Sequence, residues 1–224
     1  MITTPVFFAA WALAAAAAFL AIRSIRSEAA ARRLAEAFFV LTIVLAAAAF
    51  LATVGQARKL LPEGALPPLA FSLLVYRVFL PIGVGTASAG LTSGPVRRDA
   101  LVGAFVLSPR VRGALVVSIT LAYFGAEIGK LSHEAEMREF FAGSGLPVWL
   151  NHAVIGAETV LAAALFAASA RILAAAGLSI VMIGAILTHA RNGDPFSDSL
   201  EALHLLVLLA CLVVLTRIGR ARRR

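Results

Sequence analysis

The chain has a single cysteine, two tyrosines and two tryptophans, and Asp, Glu, Lys and Arg make up only 14% of its 224 residues. A soluble domain of this length carries about 25% charge, so the shortage excludes an ordinary soluble globular protein. Cys211, deep in an apolar run, excludes an internal disulfide and a CxxC redox centre. It reads as a small buried hydrophobe. Lysine is nearly missing, with Lys59 and Lys130 the two lysines among 20 basic residues. No clustered basic soluble segment is present, so nucleic acid is not an expected partner, and the net charge of +8 needs another explanation. Sustained polar–apolar alternation is absent too. That excludes barrel strands and leaves helices as the means of crossing a bilayer.

What is present is apolar surface: 61% of residues are hydrophobic and the mean hydropathy is +0.92. A span of about 30 Å takes ~20 residues, and seven runs qualify, at 4–22, 35–55, 68–91, 112–131, 147–169, 172–190 and 199–216. The first has no Lys or Arg ahead of it and Arg23 and Arg26 behind it, the reverse of a secretory signal. With the N-terminus outside and the C-terminus inside, the inner side collects 14 basic residues against Glu28, Glu36 and Asp99. The outer side collects five basic residues and eight acids. This positive-inside asymmetry accounts for the charge without an anionic partner. The expectation is an all-α, polytopic transmembrane bundle of seven helices. A three-helix part at 1–92 and a basic cytoplasmic loop at 93–110 precede a four-helix unit at 111–216 and a basic tail at 217–224.

Polar groups gather at one end. His133, His152, His189 and His204 all fall on the outer side, and the stretch Gly184–Leu206 packs His189, Arg191, Asp194, Asp198, Glu201 and His204 into the mouth between two apolar helices. Groups of this kind are costly in hydrocarbon and are functional candidates by default. Asp194 and Asp198 also suit a turn and a helix cap. Glu127 and Lys130, three residues apart, share a helix face. At 1.5 Å per residue His152 lies roughly 9 Å deep, Arg77 about 14 Å and Glu158 roughly 18 Å. Arg77 and Glu158 either pair with each other and fix the packing, or leave Glu158 as a buried carboxyl for proton transfer. Lys130 and Arg191 either supply positive charge to a pocket or snorkel to the head groups. Glu201 and His204 form an E-x-x-H pair on one helix face, a metal-site spacing. A single metal ion held by His152, His189, His204 and Glu201, or a haem between two histidines, stays open. Phe140 and Phe141, in the amphipathic segment 132–147, are expected to dip into the interface.

From the fourth helix onward the chain resembles the DoxX/DoxD family of small membrane proteins. The residues that carry the resemblance are Gly125 and Gly129-Lys130-Leu131, then Gly145-Leu146-Pro147, Glu158 within the next helix, Arg171 opening the third, and Met182 with His189. Val160 and alanines stand where the family has a glycine pair, and a basic tail replaces its glycine-rich ending. The resemblance implies a four-helix bundle in a bacterial-type inner (plasma) membrane, preceded here by three further helices. It also implies a link to quinones, as in the membrane subunit of a thiosulfate:quinone oxidoreductase, and redox partner proteins in a larger complex. Lys130, Glu158, Arg171 and His189 are the residues it carries over.

These readings converge on an integral membrane protein with an outward-facing polar pocket, expected to be quinone-linked and redox-active or the membrane subunit of an oxidoreductase. Glu158, His189 and His204 are the candidates for proton transfer, and Lys130, Arg171, Arg191 and Arg77 for binding the quinone. A non-enzymatic scaffold within a larger complex and a small-solute transporter are the alternatives.

Overall fold

The computed structural model describes residues 4–57, 80–91 and 103–221. Arg77, the first half of the third expected span and most of the 93–110 loop lie outside the described residues. The described elements are helices, in the order α1 (Thr4–Arg23), α2 (Glu28–Ala57), α3 (Leu80–Leu91), α4 (Pro109–Ser132), α5 (Glu134–Gly143), α6 (Leu150–Ala164), α7 (Arg171–Asn192) and α8 (Phe196–Ala221). Among the described residues there is no strand. Four of these helices are long and apolar enough to cross a membrane, over Glu28–Gly55, Pro109–Ser132, Arg171–Asn192 and Phe196–Ala221; Ala12–Arg23 and Leu150–Ala164 are shorter apolar helices.

Local chemistry sets the helix ends. Ser108 caps α4, its Oγ accepting from the Arg110 N–H, with Pro109 in the first turn, where its missing N–H costs nothing. Ser27 Oγ accepts from the Ala30 N–H at the start of α2. α7 ends at Gly193, whose φ of 75° is the left-handed conformation glycine adopts without strain.

α4 and α8 form the centre. α2 lies along α4, α7 along α8, and α3 lies against α8 with α1 outside it. Leu115, Ile119 and Tyr123 of α4 and Leu205, Leu208, Leu212 and Leu215 of α8 belong to one buried apolar cluster. The front helices are therefore packed onto the four-helix unit rather than forming a body of their own. Val160 of α6 and Leu173, Ile180 and Leu187 of α7 are large, apolar and exposed. Such an outer surface matches hydrocarbon, which makes the chain a membrane protein by composition and by surface.

α1 and α3 meet through small residues. A Cβ at Gly85 would fall 2.8 Å from the Ala15 carbonyl oxygen, 2.8 Å from Ala18 Cβ and 3.0 Å from the Phe19 backbone nitrogen. Backbone cannot move aside as a side chain can, so Gly85→Ala is expected to destabilise the chain by about 1–3 kcal/mol. Gly129→Ala, where a Cβ meets nothing within 4 Å, serves as the control and should leave the melting temperature in detergent unchanged or raised.

Candidate functional site

Five helices line a partly open cavity of about 450 Å³. Each contributes one stripe at helical spacing: Tyr123, Ala126 and Lys130 from α4, Asn151, Val154 and Glu158 from α6, Met182, Ala185 and His189 from α7, and Asp198, Glu201, Ala202 and Leu205 from α8. Met137, Phe140 and Phe141 of α5 also line it. Phe141 is buried, and the two phenylalanines meet edge to face at 6.0 Å. They thus cover the cavity instead of dipping outward into the interface, because the short α5 is folded back against α4 and α6.

The deep end of the cavity is ionic. Lys130 Nζ donates to Glu127 Oε1 at 2.9 Å and also to Glu158 Oε2. Its side chain is 23% exposed, against 5% for Glu127 and 1% for Glu158. Lys130 therefore turns inward and does not snorkel, and it supplies a countercharge to Glu158; the expected Arg77–Glu158 pairing lies outside the described residues. With all three groups ionised the cluster carries one net negative charge. An uncompensated charge in an apolar interior is expensive, so the cluster favours a proton or a hydrogen-bond donor next to it. Below it, Thr120 Oγ1 donates to the Ala162 carbonyl at 3.0 Å, fixing α4 against α6.

Two further residues of the cavity lining, Tyr123 on α4 and Asn151 in the first turn of α6, have unmet hydrogen-bonding capacity. Asn151 and Tyr123 are each 1% exposed, yet neither amide atom of Asn151 nor the Tyr123 hydroxyl has a hydrogen-bond partner among the described residues. Buried polar atoms are nearly always paired, and here the cavity is where their partner would sit. Glu127 Oε2 is likewise buried without a hydrogen-bond partner among the described residues.

At the rim, His189 Nδ1 lies 2.7 Å from Asp194 Oδ2. The left-handed Gly193 turns the chain back so that the Asp194 N–H donates to the His189 carbonyl at 3.0 Å, which brings the carboxylate onto the ring. A carboxylate on Nδ1 holds that nitrogen protonated and leaves Nε2 as the acceptor in the neutral ring. The imidazole also packs against Phe140, with ring centroids 5.2 Å apart. Asn192 Nδ2 donates to Ser144 Oγ at 2.8 Å, tying the end of α7 to the α5–α6 connection.

The other expected site residues fall elsewhere. His204 is buried on α8 but does not line the cavity. At roughly 100° per residue, Asp198, Glu201, Ala202 and Leu205 share an arc that His204 misses. His152 is exposed at the start of α6, its Nε2 3.6 Å from Glu134 Oε1. His152, His189, His204 and Glu201 are thus not assembled, and among the described residues no three His, Cys, Asp or Glu side chains are placed to hold a metal ion. Arg191 is exposed, with a guanidinium nitrogen 3.7 Å from where a Cβ of Gly145 would stand, and does not line the cavity. Arg171 sits at the opposite end of α7 from His189, its Nε donating to the Leu165 carbonyl at 2.7 Å. The expected role of Arg171 at the cavity is therefore corrected: eighteen positions of helix, at 1.5 Å each, separate it from the rim.

No curated protein and no solved structure matches the chain. Residues 114–214 match the DoxX-like family. The helices in that stretch carry Lys130, Glu158 and His189 to one cavity and Arg171 away from it. In this membrane protein the similarity to the DoxX-like family lies in the C-terminal half, over residues 114–214.

Proposed function

We propose that the chain is a quinone-linked redox protein of the membrane, acting as or within an oxidoreductase, and that the α4–α8 cavity is its quinone site. The observation that carries this reading is an apolar cavity lined by Lys130 together with buried Tyr123 and Asn151, whose polar atoms have no hydrogen-bond partner among the described residues. A quinone is a flat apolar ring with carbonyl oxygens that need donors. The residues present fit that group: Phe140, Leu150, Val154 and Met182 give apolar walls, while the Lys130 ammonium, the Tyr123 hydroxyl and the Asn151 amide offer N–H and O–H groups. When bound, a quinone supplies electron transfer coupled to proton uptake or release. The chain's own part is to bind and orient the ring, to hold a proton at the Glu127–Lys130–Glu158 cluster, and to accept or give one at His189 Nε2.

Titration of detergent-solubilised protein with a short-chain quinone tests this. Saturable binding is expected, together with quinone in the lipid extract of the purified protein. Asn151→Leu removes both polar amide atoms and keeps the branched shape, and is expected to weaken binding about tenfold or more, since each lost hydrogen bond in a buried site costs about 1–3 kcal/mol. The absence of both saturable binding and co-purified quinone overturns the reading.

A further inference from the structure

The arginine that the family pattern shares, Arg171, is far from the cavity, and its surroundings assign it a different partner. Arg171 opens α7 and Arg220 lies in the last turn of α8. Both guanidiniums hang on the α6–α7 turn: Arg171 donates through Nε to the Leu165 carbonyl at 2.7 Å and through Nη2 to that of Phe166 at 3.3 Å, and Arg220 Nη2 donates to that of Ala168 at 2.6 Å. The neighbouring charge that acts on Arg171 is that of Arg220, of the same sign. The described acids at this end of the bundle, Glu28 and Glu36, pair with Arg32 and Arg110 instead.

Free carbonyls at the end of a helix favour a cation, and that accounts for one arginine. It does not account for two held side by side. A guanidinium has five N–H groups, so both keep donors to spare after these bonds. The anion that best fits two guanidinium edges is a phosphate, which takes paired N–H bonds from arginine. Phe166 and Leu173 flank the turn with their side chains exposed. The turn also lies where the spans Arg171–Asn192 and Phe196–Ala221 reach their arginine-bearing ends, the level at which headgroups sit. Arg217 stands one turn before Arg220, and the sequence continues to Arg222, Arg223 and Arg224. We propose that Arg171 and Arg220 form a binding site for the phosphate headgroup of an anionic phospholipid, with Phe166 and Leu173 against its acyl chains.

Native mass spectrometry and thermal melting of the full chain in detergent test the site, with phosphatidylglycerol, phosphatidylcholine or inorganic phosphate added in turn. Phosphatidylglycerol is expected to stay bound and to raise the melting temperature; phosphatidylcholine is not. Arg220→Gln leaves both Arg171 bonds in place, so it should fold as the parent does and retain phosphatidylglycerol several-fold less well. Arg138→Gln, on α5 at the other end, should retain it fully. Equal retention of the two lipids overturns the proposal, as does wild-type retention by Arg220→Gln. The same stabilisation from inorganic phosphate also overturns it, by showing a free-anion site in place of a lipid site.

Discussion

Lys130→Met is expected to destabilise the chain by about 3–5 kcal/mol, the cost of breaking a buried ion pair by removing one partner. The cost is at the upper end here because one ammonium serves two carboxylates. Lys130 bonds both Glu127 and Glu158, so the substitution strands two acids that are 5% and 1% exposed. Replacing all three by neutral groups of similar size, as Glu127→Gln, Lys130→Met and Glu158→Gln together, removes the stranded charges. A buried ionic cluster exchanged as a whole for neutral groups is often close to neutral in stability. The triple variant should therefore regain most of the lost melting temperature, whereas quinone binding should remain lost because the ammonium donor is gone. Unfolding in mixed detergent gives the first quantity and quinone titration the second. If Lys130→Met melts with the parent, the cluster does not contribute to stability as described; if the triple variant binds quinone as the parent does, the cavity is not the quinone site.

The two links that carry this prediction differ in how far the residues alone disclose them. Apolar run length and the shortage of charge point to a membrane helix bundle, and the order of Lys130, Glu158 and His189 points to the DoxX-like unit. Depth along a helix is one-dimensional, however, and says nothing of azimuth. Glu158 at mid-span left its partner open, with Arg77 one candidate; Arg77 lies outside the described residues, and the structure shows Lys130 bonded to Glu158, reaching down from nearer the helix end. A long flexible amine covers a turn of helix, so its Cα level is a poor guide to its charge. Azimuth also explains His204 and His152, each set off the cavity stripe of its own helix. The same rule finds what was overlooked: counting seven residues back from Glu158 gives Asn151, and seven back from Lys130 gives Tyr123. Seven residues are close to two turns, so each lies on the same face as the charged group that drew attention first. The Asp194–His189 contact depends on Gly193 adopting a left-handed φ, and a turn signal in sequence does not say which carboxylate it delivers to which ring.

That contact leads to the second large effect. On the quinone reading proposed above, His189→Ala is expected, in membranes that contain the chain, to lower quinone-linked turnover by about 10²–10⁴-fold, the usual contribution of a positioned acid or base. Binding should change little, since the Lys130, Tyr123 and Asn151 donors to the quinone oxygens are all retained. Asp194 does not line the cavity; its carboxylate, 2.7 Å from Nδ1, acts by keeping Nε2 free to accept a proton. Asp194→Ala should therefore lower kcat with KM unchanged, and by less than His189→Ala does. Asp194→Glu, able to reach Nδ1 again, should recover part of the loss. Gly193→Val tests the same geometry from the backbone: a left-handed φ of 75° costs a β-branched residue roughly 1–2 kcal/mol or more. It should shift Asp194 away from the ring and reproduce the kcat loss without touching either side chain. Unchanged turnover in His189→Ala places the proton step at the Glu127–Lys130–Glu158 cluster alone. A fall in KM and kcat together in Asp194→Ala marks the pair as a brace for the α7–α8 connection rather than a relay.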